Sequence, residues 1–415
     1  MKVWLTEIGE PLPLAAGSRP MRAGLLAETL AARDHDVTWW ASTFDHARKA
    51  QCRPAGGTVS LGAHLRLELL HAPGYRRNVS LARIRHHRAI ARAFAVRAEP
   101  LPPPDLVYCC VPTLELTEAA LRYASARGVP VVVDVRDLWP DIFVGAVPWP
   151  LRALARLLLQ PEFRRARYVF RGATAILGVS EGYLEWGLRQ AGRARGPWDA
   201  VFPHAYPRPT LDAAAVSHAR GELAALGVDP RRVVCCFVGS FGRTYDLGTV
   251  IEAARLVARA GRDDLQFVLA GDGERRAAWQ QQAAALSNVV FTGWISADAI
   301  VALLGMARLG LAAYAPHAPQ GLPNKMFEYL SAGLPVVSSL RGEAERFLTE
   351  TACGATYPAG DAAALAALLL QLAADDTARR EMGRRALARY DAEFSAPHVY
   401  GRLADHLERL IRSVR

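Results

Sequence analysis

At 415 residues the chain exceeds the comfortable size of one hydrophobic core, so two domains of ordinary size are expected. A hydrophobic content of 51% with 22% charged residues excludes a disordered chain, and no tract is biased or repetitive enough to be fibrous. The net charge of +10 calls for anionic partners, but no nucleic-acid recognition motif accompanies it, and nucleic acid is not the expected one.

In chain order, MKVWLTEIGE passes from a short apolar strand directly into polar residues rather than a signal-peptide core. No window reaches the roughly 18 apolar residues of a membrane span. The six cysteines lack metal-binding spacing and read as small reduced hydrophobes, so a cytoplasmic protein is expected. Strands are predicted over 2–6, 37–40, 106–110, 131–135 and 175–179, and helices over 21–32, 114–127 and 151–159, with another starting at Ser180.

Two stretches of this half are rich in arginine. Residues 75–99 hold Arg76, Arg83, Arg85 and Arg88 among others with no acid before Glu99, and 152–171 hold six arginines against Glu162. In the first, Leu81, Ile84, Ala91 and Phe94 interleave at near-helical spacing, which fits a helix on anionic lipid or facing phosphates, or simply a solvated face. The lipid reading requires Arg76, Arg85 and Arg88 on one exposed face.

The proline-rich VFPHAYPRP, residues 201–209, marks a boundary. Domains are drawn at 1–205 and 206–395, with a closing helix over 396–415 for which a return to the first domain is an open course. Past the boundary come strands over 233–238, 266–270, 289–292, 309–313 and 335–338, and a helix with Leu247, Val250, Ile251, Ala254 and Val257 on one side. This alternation gives an α/β protein with two parallel sheets, whose ligands are expected in a cleft at the carboxyl ends of the strands.

Candidate chemistry concentrates in the second half. In QGLPNKMFEYLSAGLPVVSS, residues 320–339, a turn leads into a short helix at Asn324, and Gly333 ends it. Lys325 lies at the helix end that disfavours a cation, which implies an anionic partner such as a diphosphate. Glu328, one turn on, can accept hydrogen bonds from a vicinal diol such as a ribose; a surface Lys–Glu pair is the plain alternative. GSFGRTYD after the 233–238 strand offers Gly239 for close backbone approach and the Arg243 fork for phosphate. AGDGE makes a turn at Gly271, and Trp294 is either a wall beside a base or a core aromatic.

The series FVGSFGRTYDL, VLAGDGE, NVVFTGWIS and PNKMFEYLSAGLPVV resembles the donor-binding domain of glycosyltransferase family 4, retaining enzymes of the GT-B fold. VVVDVRDLWPD, LGVSEGYLEWGLR and VFPHAYP resemble its branch in bacterial surface-polysaccharide synthesis, including transferases similar to the N-acetyl-L-fucosamine type. The resemblance implies two Rossmann-like domains facing an interdomain cleft, a nucleotide-sugar donor of the UDP-sugar kind, and a polyprenyl-diphosphate-linked or other glycan acceptor. It further implies peripheral attachment to the inner membrane face. Glu328 matches the second Glu of an E-x7-E motif that holds the ribose; Lys325, Asn324 and Arg243 match the diphosphate contacts, Gly239 and Gly271 the backbone approach, and Gln320, Gly321, Leu322 and Pro323 the sugar-binding turn. The first Glu of the motif is Gln320 here, which hydrogen-bonds hydroxyls but does not stabilise positive charge at an anomeric carbon.

Arg136 and Asp137 stand where many relatives have a His, with phosphate binding and orientation of the acceptor hydroxyl as implied roles and a structural ion pair as the alternative. Gly17, Ser18, Arg19, Arg22 and His204 match acceptor-side positions. No metal or cofactor is expected, because basic groups and helix N-termini already meet the leaving diphosphate. The acidic pair Asp34 and Asp36 reads as a helix-to-strand turn. An epimerase or hydrolase of the same fold, and a non-catalytic nucleotide-sugar-binding protein, are the alternative functions.

Overall fold

In the computed structural model the described residues are 1–14, 20–78, 80–145, 147–205, 207–208, 211–316, 318 and 320–414. They form two units: Met1–Pro203 with Val399–Arg415, and His204–His398. Gly17, Ser18 and Arg19 lie outside the described residues.

Unit 1 is built on an eight-stranded sheet of β1 (Lys2–Thr6), β2 (Asp36–Ser42), β3 (Gly57–Ser60), β4 (Leu65–Leu70), β5 (Leu106–Val111), β6 (Val131–Val135), β7 (Ala175–Gly178) and β8 (Ala200–Val201). Their order is β8-β7-β6-β5-β1-β2-β4-β3, parallel except for β3 against β4. Strands buried on both faces need continuous apolar sequence, and LVYCCV of β5 is buried throughout. The β3–β4 hairpin is absent from the sequence expectations because its charged alternation, as in LRLELL, hides the strand pattern.

Helix α1 (Arg22–Ala31) follows β1, and α2 (Leu81–Ala98) begins at Ser80, whose hydroxyl accepts from the Arg83 N–H at 3.2 Å. One side of α2 enters the core. Ile90 and Phe94 are fully buried, and Phe94 packs edge-on against Trp40 with ring centres 4.7 Å apart. The apolar residues expected on a lipid face therefore divide: Phe94 is core, whereas Leu81 and Ile84 are exposed. Arg76, Arg85 and Arg88 are all exposed and make no ion pair among the described residues. The helix expected over 151–159, α3 (Arg152–Leu158), buries none of its residues.

Unit 2 carries β9 (Val233–Val238), β10 (Leu265–Ala270), β11 (Val289–Gly293), β12 (Leu309–Ala312), β13 (Val336–Ser338) and β14 (Gly354–Thr356) in one parallel sheet of order β11-β10-β9-β12-β13-β14. Helix α4 (Leu247–Arg259) starts at Asp246, whose carboxylate accepts from Thr249 N–H, and buries the predicted apolar stripe. Helix α5 (Asn324–Ser331) follows β12 and ends at Gly333, at φ +66°. The last helix, α6 (Ala396–Val414), supplies unit 1 with Leu403, Leu407 and Leu410, all fully buried.

Candidate functional site

In unit 2, β9 leads to β10 and β11 on one side, and the chain then returns to lay β12 on the other side of β9. The strand order reverses there, so the loops leaving β9 and β12 diverge around a crevice at the carboxyl edge, where open α/β sheets take ligands. The loops are tied together. Asp246 N–H donates to Ala313 O at 3.2 Å and Ala315 N–H to Thr244 O at 2.9 Å, around an isolated antiparallel bridge between Tyr245 and Tyr314.

Helix α5 is pinned beside this crevice by Tyr329, which accepts from Val238 N–H at 3.1 Å and donates to Leu311 O at 3.2 Å. The tyrosine ring leaves no room over β12, where a Cβ on Gly310 would lie 2.5 Å from it. At its start α5 has Pro323 in extended conformation and no side-chain cap, so its leading N–H groups are not met by a side chain.

Lys325 is brought onto Gly239. The Nζ lies 3.0 Å from where a Gly239 Cβ would stand, 3.6 Å from the ring centre of Phe237 and 3.8 Å from that of Tyr245, with Tyr314 at 5.4 Å. It is 5% exposed, and the Nζ has no hydrogen-bond partner among the described residues. Burial pushes this amine well below the ordinary lysine range, opposed by the carboxylate of Glu328. The aromatic faces are a partial substitute for water around a cation. Sequence reasoning missed this wall of Phe237, Tyr245 and Tyr314; its signal was the aromatic residue next to each loop-forming strand end.

Gly271 comes against Gly239 from the next loop. At φ +145° its Cβ would lie 1.8 Å from the Gly239 carbonyl oxygen, so only glycine fits. Gln320 has its Oε1 buried without a partner among the described residues, Gly321 and Leu322 are half-buried, Pro323 is buried and Asn324 is exposed. Arg243 is exposed and pairs with Glu274 at 2.9 Å, so a ligand would have to compete for it. Trp294 is 72% exposed, which overturns the core alternative.

The unit 1 candidates present a different picture. Arg22, expected on an acceptor-side loop, is instead enclosed in the protein: its Nε and Nη2 clasp the Asp134 carboxylate at 2.8 and 2.9 Å, and Nη1 donates to Pro203 O at 2.9 Å. Arg136 is committed as well, to Asp134 at 2.9 Å, Glu7 at 3.2 Å and Glu10. Only its Nη2 lacks a partner among the described residues, so the geometry favours the ion-pair alternative over phosphate binding. Three carboxylates face two guanidinium groups. Burial pushes Glu7 up to about 7, against Arg136 and helped by Glu10 and Asp134, while Arg22 and Arg136 overcome burial and hold Asp134 well below the usual carboxylate range. Glu7 and Glu10 were not foreseen, although TEIGE directly after β1 was their signal.

Asp137 follows β6, half-buried, with Oδ1 accepting from Leu138 N–H at 2.8 Å; burial raises its carboxyl. His204 is half-buried at the start of unit 2. Asp34 and Asp36 stand at the α1–β2 turn, both beside His64, and no group of three or more His, Cys, Asp or Glu among the described residues is arranged to hold a metal ion.

Comparison with known proteins adds to this geometry. An amylovoran biosynthesis glycosyltransferase, AmsK of Erwinia amylovora, is 30% identical over 173 residues, an aligned stretch spanning 40% of this chain and 42% of that protein. The fold is similar to that of a sucrose-phosphate synthase from Thermosynechococcus elongatus, with a TM-score of 0.75, 17% identity and 99% of both chains covered. It is also similar to Anabaena HepE in complex with UDP-glucose, with a TM-score of 0.68, 17% identity, and 99% of this chain and 100% of that one covered. These likenesses give the fold, two Rossmann-like halves of the GT-B kind. Residues 232–375, which contain the loops of β9 to β12 and helix α5, match the family model of the glycosyl transferases group 1.

Proposed function

We propose that the protein is a retaining glycosyltransferase that moves a hexosyl or N-acetylhexosaminyl group from a UDP-sugar to a lipid-linked glycan during surface-polysaccharide synthesis. The observation that carries this reading is Lys325, a buried amine with no hydrogen-bond partner among the described residues, set against Gly239 at the uncapped start of α5. A buried amine is costly to charge, the Glu328 carboxylate offsets that only in part, and a diphosphate in the crevice supplies further negative charge. The family match over these loops, the amylovoran relative and the UDP-glucose bound by HepE support the same donor chemistry.

In this reading the diphosphate lies against the leading N–H groups of α5 and beside Lys325, with Arg243 released from Glu274 to join it. Glu328 takes the ribose hydroxyls, and the turn from Gln320 to Pro323 holds the sugar. As the glycosidic bond breaks, negative charge collects on the leaving oxygen and these groups stabilise it without a metal or other cofactor. The acceptor hydroxyl attacks on the face from which the diphosphate departs, and its proton passes to the leaving phosphate oxygen. Acceptors of this kind reside in the inner membrane leaflet, and the exposed Arg76, Arg85 and Arg88 give unit 1 a peripheral attachment there.

The test is incubation with radiolabelled UDP-sugars and membrane lipid extract. Label is expected in the organic phase, and Lys325→Ala or Glu328→Ala should lower the transfer rate by about a hundredfold or more. Free labelled sugar or epimer, in place of labelled lipid, would make the protein a hydrolase or epimerase; donor binding without turnover would make it a binding protein.

A further inference from the structure

Between Asp141 and Glu162 the sequence holds no acid. It reads VPWPLRALARLLLQ over 147–160 and forms a 3-10 turn, Trp149–Leu151, running into α3. Leu154, Leu157 and Leu158 stand at the i, i+3, i+4 spacing by which a helix enters a core, yet none does. Trp149 is 80% exposed and Leu158 71%, and Leu151, Leu154 and Leu157 are each more than half exposed. A single surface leucine needs no explanation, but five large apolar side chains on one short segment, all in water, do.

The surroundings of these side chains indicate what covers them. Arg152 and Arg156 are exposed on α3 itself, although Arg156 Nη1 also lies 4.0 Å from Asp141. A second copy of the same patch would bring arginines against arginines. An anionic bilayer supplies apolar depth for Trp149 and the leucines and negative headgroups for the arginines around them, and tryptophan is the side chain that favours the boundary between the two.

We infer that residues 149–158 are a membrane-inserting element, which sinks Trp149 and the α3 leucines below the headgroups of an anionic bilayer while the flanking arginines remain at the phosphates. This deepens the proposed function, which invokes a membrane surface through arginines alone, by naming an insertion element in a different part of unit 1. The two attachments differ in kind. Contact through exposed arginines is lost as salt screens it, whereas inserted apolar surface is insensitive to salt.

The experiment uses the full chain and vesicles of phosphatidylglycerol mixed with phosphatidylethanolamine, with phosphatidylcholine vesicles as the neutral control. The protein is expected to co-sediment with the anionic vesicles and to retain a bound fraction when salt is raised. The triple variant Leu154→Gln, Leu157→Gln, Leu158→Gln should lower partitioning by about tenfold or more. Because these side chains are exposed, its melting temperature should match that of the parent. Lipids brominated along the acyl chain should quench the parent's fluorescence more than that of Trp149→Phe. Unchanged partitioning of the triple variant would overturn the inference, as would equal quenching. Self-association of the parent that the triple variant abolishes, with vesicle binding intact, would overturn it too. Transfer to a detergent-dispersed acceptor reports on the proposed function separately: its failure in the parent sinks that function and leaves the vesicle result standing.

Discussion

Lys325 sits at the end of α5 where the helix dipole disfavours a cation, and burial adds a second penalty. Burial lowers its proton affinity in the unliganded protein against the pull of Glu328, and a diphosphate beside Nζ would raise it. Donor binding should therefore take up a proton over the interval between the depressed free value and the higher bound value, and weaken as pH rises through it. Titration calorimetry with a UDP-sugar at each of a series of pH values, in buffers of different ionisation heat, measures that uptake; a UDP-sugar is a diphosphate diester and carries no proton of its own near neutrality. Zero uptake at every pH of the series would mean that Lys325 does not meet the diphosphate. The short helix that carries Lys325 and Glu328 was legible in the sequence because turn residues bracket it. The aromatic wall was not, because Phe237, Tyr245 and Tyr314 come together only when the loops of β9 and β12 meet.

Among elements, the parallel strands were read most faithfully: β6 and β9 have the predicted bounds, since continuous apolar runs between turn-formers allow little else. Errors arose where pattern and burial part company. The spacing of α3 is that of a covering helix, and only the structure reveals that none of its residues is buried. Arg22 was expected on an acceptor-side loop, and Arg136 at a phosphate or in a structural ion pair; Asp134, inside an otherwise apolar strand, was the clue that both arginines go inside. That cluster ties α1, β6 and the segment after β1 together. Asp134→Ala leaves Arg22 buried without its anion and should cost about 3–5 kcal/mol, a fall of about 10 °C in melting temperature. Arg22→Met combined with Asp134→Leu should recover much of it, which calorimetry on the three variants would check.

At the scale of the whole molecule, the boundary was predicted from VFPHAYPRP at 205/206, and the change of unit comes after Pro203. The destination of the last helix was not legible, since an apolar stripe records that a partner exists and not which one. It belongs with unit 1, through buried Leu403, Leu407 and Leu410, His406 against Trp198 O at 3.0 Å, and Glu408 against His35 at 2.9 Å. Each buried leucine contributes about 1.5–3 kcal/mol, so a chain cut after His398 should lose several kcal/mol from unit 1 and leave unit 2 intact. Differential scanning calorimetry should then record one transition moved to lower temperature and the other unshifted. The same connectivity orders events on the ribosome: the second unit emerges entire before the first receives its closing segment. The earlier-made half therefore spends the interval of translation unfinished, with a strip of its core open to chaperones and proteases.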